Sequence, residues 1–352
     1  MNMKYKEFDI NEFTRKNVQK MSAYASARDD FKEIAEVYLD ANENPFENGI
    51  NRYPDPQQKS LKLRLSEIKN IDIENILLGN GSDEILDLIF RAFCEPERDN
   101  IICTPPTYGM YKVLSELNNI ELRESVLTAD FHLNVDDILS RIDSHTKLIL
   151  LCSPNNPTGN LIPQNQIEKI LNKSNCLVVI DEAYIDFADK VSWITSLENY
   201  PNIIVCQTLS KAWGMAGIRL GICYASEKII TVLNKIKPPY NINVLTQQRA
   251  LKSLNDPIEF ERKLAQILSE RELLKKELEQ LSFVHKIYPT DSNFWLIKVD
   301  DANKRYHQLL EKNIVVRNRT TQPLCKNCLR ITVGTAKENE KLIQVLISIS
   351  KC

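Results

Sequence analysis

The chain has 352 residues, 43% hydrophobic and 26% charged, with a formal net charge of −2. That length supports a large domain with a smaller companion, and the near-neutral charge gives no electrostatic basis for binding nucleic acid or an anionic membrane. No apolar run is long enough to span a bilayer, and the opening "MNMKYKEFDINEF" has no apolar core or small-residue cleavage site, so a cytoplasmic protein is expected.

The first 40 residues show no clear fold of their own and are expected to wrap the smaller domain or a neighbouring subunit. From about residue 58 helical and strand patterns alternate. "QKSLKLRLSEIKN" has helical spacing, "ENILLG" is a short strand, and "SDEILDLIFRAFC" is a helix for which Ser82 is a good N-cap. "NIICTPP" follows as strand, "TYGMYKVLSELNN" as helix and "ELRESVL" as strand. "TKLILLCSP", "CLVVIDEAY" and "NIIVCQTLS" are apolar on both faces, as strands of a buried, mostly parallel sheet are. After "KPPYNINVL" the texture changes. Residues 256–281 predict one long charged helix, followed by the strands "NFWLIKV", "NIVVRN" and "CLRITVG", the helix "ANKRYHQLLEK" and a closing amphipathic helix "KENEKLIQVLISIS". The expected division is an N-terminal arm over 1–45, a large domain over 46–250 and a small α+β domain over 251–352.

Nine cysteines, most of them inside apolar runs, read as reduced core residues. Cys325 and Cys328 have CxxC spacing, but no second ligand pair accompanies them, and no metal site or redox motif is expected there. His132, His145, His285 and His307 fall outside every motif.

In parallel α/β sheets functional groups gather where strands end. Five such ends carry "GNGSDE" (79–84), "PPTYG" (105–109), "SPNNPTG" (153–159), "DEAY" (181–184) and "TLSK" (208–211). Each alone reads as a capped turn, a solvated acid pair or ordinary packing. Together, beside Lys211, they suit one cofactor. A lysine amine can form a Schiff base with pyridoxal 5′-phosphate. Asp181, ending an apolar strand, can hold the pyridine nitrogen protonated. Asn156 and Tyr184 offer donors to the ring oxygen, and Tyr108 can stack on the ring face. The helix start at Ser82 and Asp83, with Thr208, Ser210 and Arg219, offers amides, hydroxyls and a positive charge to the phosphate.

"NPTG", "DEAY" and "SK" followed eight residues later by Arg219 resemble the fold-type I pyridoxal-phosphate aminotransferases. "YLDANENPF", "NRYPDP", "SPNNPTG" and "CLRITVG" narrow the resemblance to the histidinol-phosphate aminotransferase family, over essentially the whole chain. The resemblance implies an α/β, aspartate aminotransferase-like fold with a large mostly parallel-sheet domain and a smaller α+β domain. It also implies a homodimer. It assigns Lys211, Asp181 and Tyr184 to catalysis and places Tyr53 across the dimer on the other subunit's cofactor phosphate. Arg330 would clamp the substrate anion, Arg317 would assist (Arg319 being the alternative), Asn156 and Tyr53 would also border the substrate, and Tyr24 would close over it.

The implied reaction is transamination of L-histidinol phosphate with 2-oxoglutarate. Rival activities on the same fold are aromatic amino-acid transamination and decarboxylation of threonine phosphate. A non-catalytic regulator of this fold would need an added DNA-binding segment, and no basic helix-turn-helix is present.

Overall fold

The computed structural model describes residues 8–23 and 36–350. In chain order the described elements begin with α1 (Lys16–Lys20), α2 (Lys59–Lys69), β1 (Ile76–Asn80), α3 (Ser82–Phe93), β2 (Asn100–Cys103), α4 (Met110–Leu117) and β3 (Glu121–Glu124). Then come α5 (Val135–Ser140), β4 (Thr146–Cys152), α6 (Gln164–Lys173), β5 (Leu177–Asp181), β6 (Ile203–Thr208), β7 (Leu220–Ala225), α7 (Glu227–Ile236) and α8 (Val244–Leu254). The remainder is α9 (Pro257–Leu278), β8 (Val284–Ile287), β9 (Phe294–Val299), α10 (Ala302–Glu311), β10 (Arg317–Asn318), β11 (Cys328–Thr332) and α11 (Ala336–Ser350).

Seven strands form one sheet in the order β1-β7-β6-β5-β4-β2-β3. Strands β3, β2, β4, β5 and β6 run parallel, and β7 runs antiparallel to both β1 and β6. The apolar runs behave as strands buried on both faces must. Leu148 and Leu150 of β4 pack into one core with Leu77, Ile101 and Val179, while Ile149 and Leu151 pack into the other with Leu78, Ile102 and Val178. The strand β7 escapes sequence reasoning because it begins among glycines beside Arg219.

Three local expectations need correction. Gly81, with φ of 80°, occupies the N-cap of α3, so Ser82 is the first helical residue rather than the cap. The run "NIVVRN" reduces to the two residues of β10. Of the arm expected to wrap the smaller domain or a neighbouring subunit, residues 8–20 do not wrap this chain's smaller sheet: Ile10, Phe13 and Val18 pack with Phe90, Phe93 and Leu233 against the larger one, and the subunit alternative is a matter for the assembled protein. The long helix α9 begins as expected, with Pro257 in its first turn and the Asp256 carboxylate accepting from Glu259 N at 3.1 Å.

The second sheet is antiparallel, in the order β10-β11-β9-β8. One face buries Trp295, Ile297, Leu329 and Ile331 with Leu274, Leu278 and Leu346 of the flanking helices. From the opposite face Leu296 and Cys328, with Cys325 of the preceding loop, join a core of the large sheet. Tyr288 extends that seam, its ring 5.0 Å from that of Phe131. The seam fixes the β10–β11 hairpin over the carboxyl ends of β4, β5 and β6. Among the described residues no helix is long and apolar enough to cross a membrane.

Candidate active site

A cavity of about 370 Å³ opens where the hairpin meets those strand ends. Ser82, Asp83, Tyr108, Asn156, Asp181, Tyr184, Thr208, Ser210, Lys211, Arg219, Arg317 and Arg330 all line it, joined by Arg319, Ala183 and Cys152. Five loops far apart in sequence therefore converge, because the parallel strands carry their ends to one edge. Tyr53 does not line the cavity of its own chain. Its ring is half exposed and stacks on Tyr240 at 4.6 Å. Tyr24 lies outside the described residues.

Asp181 forms the floor. The carboxylate is almost completely buried, and burial pushes its pKa up to about 6. Two donors oppose that shift: the Tyr111 hydroxyl reaches Oδ2 at 2.8 Å and Ala183 N reaches Oδ1 at 3.1 Å. Lys211 faces it across the cavity, with Nζ 5.7 Å from the centroid of the Tyr184 ring. Partial burial holds the Lys211 amine below the usual lysine range; Arg330 adds to this and Asp181 works against it. A lysine so placed gives up its proton more readily than a solvated one.

One end of the cavity is shaped for an anion. Asp83 accepts from the Tyr108 hydroxyl at 3.0 Å and lies 3.8 Å from the Arg219 guanidinium. A Cβ on Gly81 would meet Arg219 Nη2 at 2.5 Å, and a Cβ on Gly221 would strike Gly81 and the Ser82 amide. The two glycines thus let β7 and Arg219 close against the start of α3, where Ser82 and Asp83 line the cavity. The Thr208 hydroxyl is committed to Leu220 O at 3.1 Å and accepts from Ser210 N, so it shapes this loop. Replacing Gly221 by Ala should lower stability by about 1–3 kcal/mol. Urea or thermal melting checks this, and an unchanged midpoint would contradict the close approach.

The opposite end is lined by arginines. Arg317 and Arg330 are directly paired across β10 and β11, and Arg319 lies two residues on, on the same side of the hairpin. Burial, with Arg330 and Arg317 nearby, draws the Arg319 pKa down to about 10. The Nε atoms of Arg319 and Arg330 are buried with no acceptor among the described residues. Three cations converging with no carboxylate in ion-pair contact among the described residues make a socket for an anionic ligand. Arg330 also donates through Nη1 to Asn156 Oδ1, which leaves the amide nitrogen of Asn156 as a donor. The resemblance favours Arg317 over Arg319, yet both line the cavity, since the Arg319 amide donates to Cys328 O at 2.9 Å and continues the extended pairing just past β10.

These groups suit the cofactor expected from the sequence: an amine for its aldehyde, a buried acid for its ring nitrogen, donors for its ring oxygen, and a helix start with Arg219 for its phosphate. Tyr111 was not anticipated. It follows Tyr108 by three residues on an amphipathic helix and reads as packing, and its partner lies 70 residues away. The CxxC cysteines are buried beneath the hairpin, and the described residues include no cluster of three or more potential metal-binding His, Cys, Asp or Glu groups.

The profile of the family described as aminotransferase class I and II matches residues 17–346. A histidinol-phosphate aminotransferase of Flavobacterium johnsoniae is 60% identical over 342 residues, covering 96% of this chain and 98% of its own. A protein of the same name from Bacteroides thetaiotaomicron is 52% identical over 338 residues, covering 96% and 98%. Among solved structures, the histidinol-phosphate aminotransferase of Clostridium acetobutylicum superposes with a TM-score of 0.79 at 25% identity, over 86% of this chain and 91% of that one. The enzyme of that name from Sinorhizobium meliloti, solved with pyridoxal-5′-phosphate, shares the fold with a TM-score of 0.78 at 23% identity, over 85% and 84%. Sequence kinship along nearly the whole chain agrees with the layout of the cavity, and the chain belongs to the class I and II aminotransferases.

Proposed function

We propose that this protein transfers the amino group of L-histidinol phosphate to 2-oxoglutarate, giving imidazole-acetol phosphate and L-glutamate in histidine biosynthesis. The observation that carries the reading is one cavity joining Lys211 and Asp181 to three arginines, of which Arg319 and Arg330 keep Nε atoms without an acceptor among the described residues. An aminotransferase must neutralise two substrates in turn. Glutamate brings carboxylates and histidinol phosphate brings a phosphate, and the same guanidinium groups can receive either.

When bound, pyridoxal 5′-phosphate supplies an aldehyde for the substrate amine and a ring that withdraws electrons from the substrate carbon. Ser82, Asp83, Ser210 and Arg219 would hold its phosphate, with Thr208 supporting their loop. Asn156 and Tyr184 would hold its ring oxygen, Tyr108 would cover the ring, and Asp181 would keep its ring nitrogen protonated. The Lys211 amine would anchor the cofactor through its aldehyde and would serve as the base that holds the proton of the substrate carbon. Arg330 and Arg317 fix the far end of the substrate, and Arg319 stands close enough to share that work. The enzyme acts as a cytoplasmic homodimer, with Tyr53 reaching the partner's cofactor phosphate and Tyr24 closing over the substrate. Its partners are small molecules, not nucleic acid or membrane. The working division is a larger unit ending near α8 and a smaller one beginning at α9, with residues 8–20 counted in the larger.

Steady-state assays with histidinol phosphate, phenylalanine and threonine phosphate test the substrate. Histidinol phosphate should give the highest kcat/KM, by roughly tenfold or more, since a site built for a polar group penalises an analogue lacking it. Preference for phenylalanine would make the protein an aromatic aminotransferase, and carbon dioxide release from threonine phosphate would make it a decarboxylase.

A further inference from the structure

We propose that Tyr111 is a positioning residue for the cofactor: its hydroxyl keeps the Asp181 carboxylate ionised and aimed at the ring nitrogen, while its ring supports Tyr108. This rests on the cofactor reading and not on the choice of substrate.

The argument begins with what Asp181 needs. A carboxylate this deeply buried drifts toward its neutral form unless donors hold its charge. Ala183 N engages Oδ1 and the Tyr111 hydroxyl engages Oδ2 at 2.8 Å, so each oxygen is fixed by one donor and the carboxylate plane cannot swing. The other charged groups that influence Asp181 do less. Asp83, from α3, disfavours its charge and Lys211 favours it, both through space rather than by hydrogen bond. From β4 the Cys152 thiol, itself buried, adds no charge.

Tyr111 is only 1% exposed and sits in the first turn of α4, so its hydroxyl has no competing solvent. Burial first, and then Asp181, raise its own pKa well above the tyrosine range, so it remains a donor wherever the enzyme works. The ring has a second contact: it meets Tyr108 edge-on, with centroids 5.7 Å apart and planes at 89°. Tyr108 is held at its far end by Asp83, so Tyr111 and Asp83 together set the plane of the ring that covers the cofactor. One side chain thereby couples the floor of the site to its face.

Tyr111→Phe separates the two roles, removing the hydroxyl and keeping the ring. Binding of pyridoxamine 5′-phosphate, which has no aldehyde and reports the noncovalent contacts alone, is measured by calorimetry on the cofactor-free full chain. The variant should bind about tenfold or more weakly, as the loss of a hydrogen bond to a charged group implies. Losing the donor raises the Asp181 pKa, so the acid-side fall in affinity should move to higher pH. Thermal melting without ligand runs in parallel. A lowered Tm with unchanged affinity and an unmoved acid limb would assign Tyr111 to packing and overturn the proposal. Should the phenylalanine variant aggregate, Tyr111→Met removes the donor with a flexible filler; because it also removes the ring that meets Tyr108, the shift of the acid limb is its deciding readout, and an unmoved limb overturns the proposal. If the unaltered chain fails to bind pyridoxamine 5′-phosphate, the cofactor reading itself falls. Binding without turnover of histidinol phosphate would overturn only the substrate assignment.

Discussion

Lys211→Ala should lose turnover by about a thousandfold or more while keeping its fold, because the variant lacks both the cofactor anchor and the base that moves the substrate proton. Lys211 lies in the loop following β6, and its side chain reaches into the open cavity rather than into a core. Removing it opens no buried void, so melting should change little. The measurement is single-turnover kinetics with histidinol phosphate, paired with borohydride treatment. In the unaltered enzyme borohydride fixes the cofactor to the peptide containing residue 211, and in the variant it does not. Turnover within tenfold of the parent would remove Lys211 from the chemistry.

Arg330→Ala should lower kcat/KM by on the order of a hundredfold for both histidinol phosphate and glutamate, as the loss of two charge-assisted hydrogen bonds implies. Arg330 is the most enclosed part of the cationic socket, with Nε buried and Nη1 given to Asn156. Its guanidinium also lies 5.2 Å from the centre of the Phe294 ring, which holds the plane. Truncation therefore frees the Asn156 amide as well as removing a charge. Arg330→Lys should recover only part of the loss, since an ammonium cannot reproduce the planar fork. A defect confined to one of the two substrates would show that they do not share this cation.

Most of the large sheet was legible because strands buried on both faces leave unbroken apolar runs, and because each run ended in a polar cluster that packing alone did not require. The order "GNGSDE", "PPTYG", "SPNNPTG", "DEAY", "TLSK" stated which loops would meet. What escaped was set by tertiary geometry. Gly81 displaces Ser82 from the cap because β7 and Arg219 crowd the start of α3, which no local pattern encodes. The share of Arg319 in the cavity depends on register with β11, and the hairpin offered only two residues of strand from which to read it. Tyr111 looked like core, and by burial it is core. Only its hydroxyl, meeting an acid from the end of β5, sets it apart.

The seam formed by Leu296, Cys328, Tyr288 and Phe131 has a further consequence. The guanidinium groups ride on the small antiparallel sheet, whereas the amine and the acid ride on the large one. The reach from one set to the other therefore acts as a gauge of ligand length, and apolar packing well away from the chemistry sets its reading. Trimming a side chain at that joint would reset the gauge and change which molecules span it, with every reacting group left untouched.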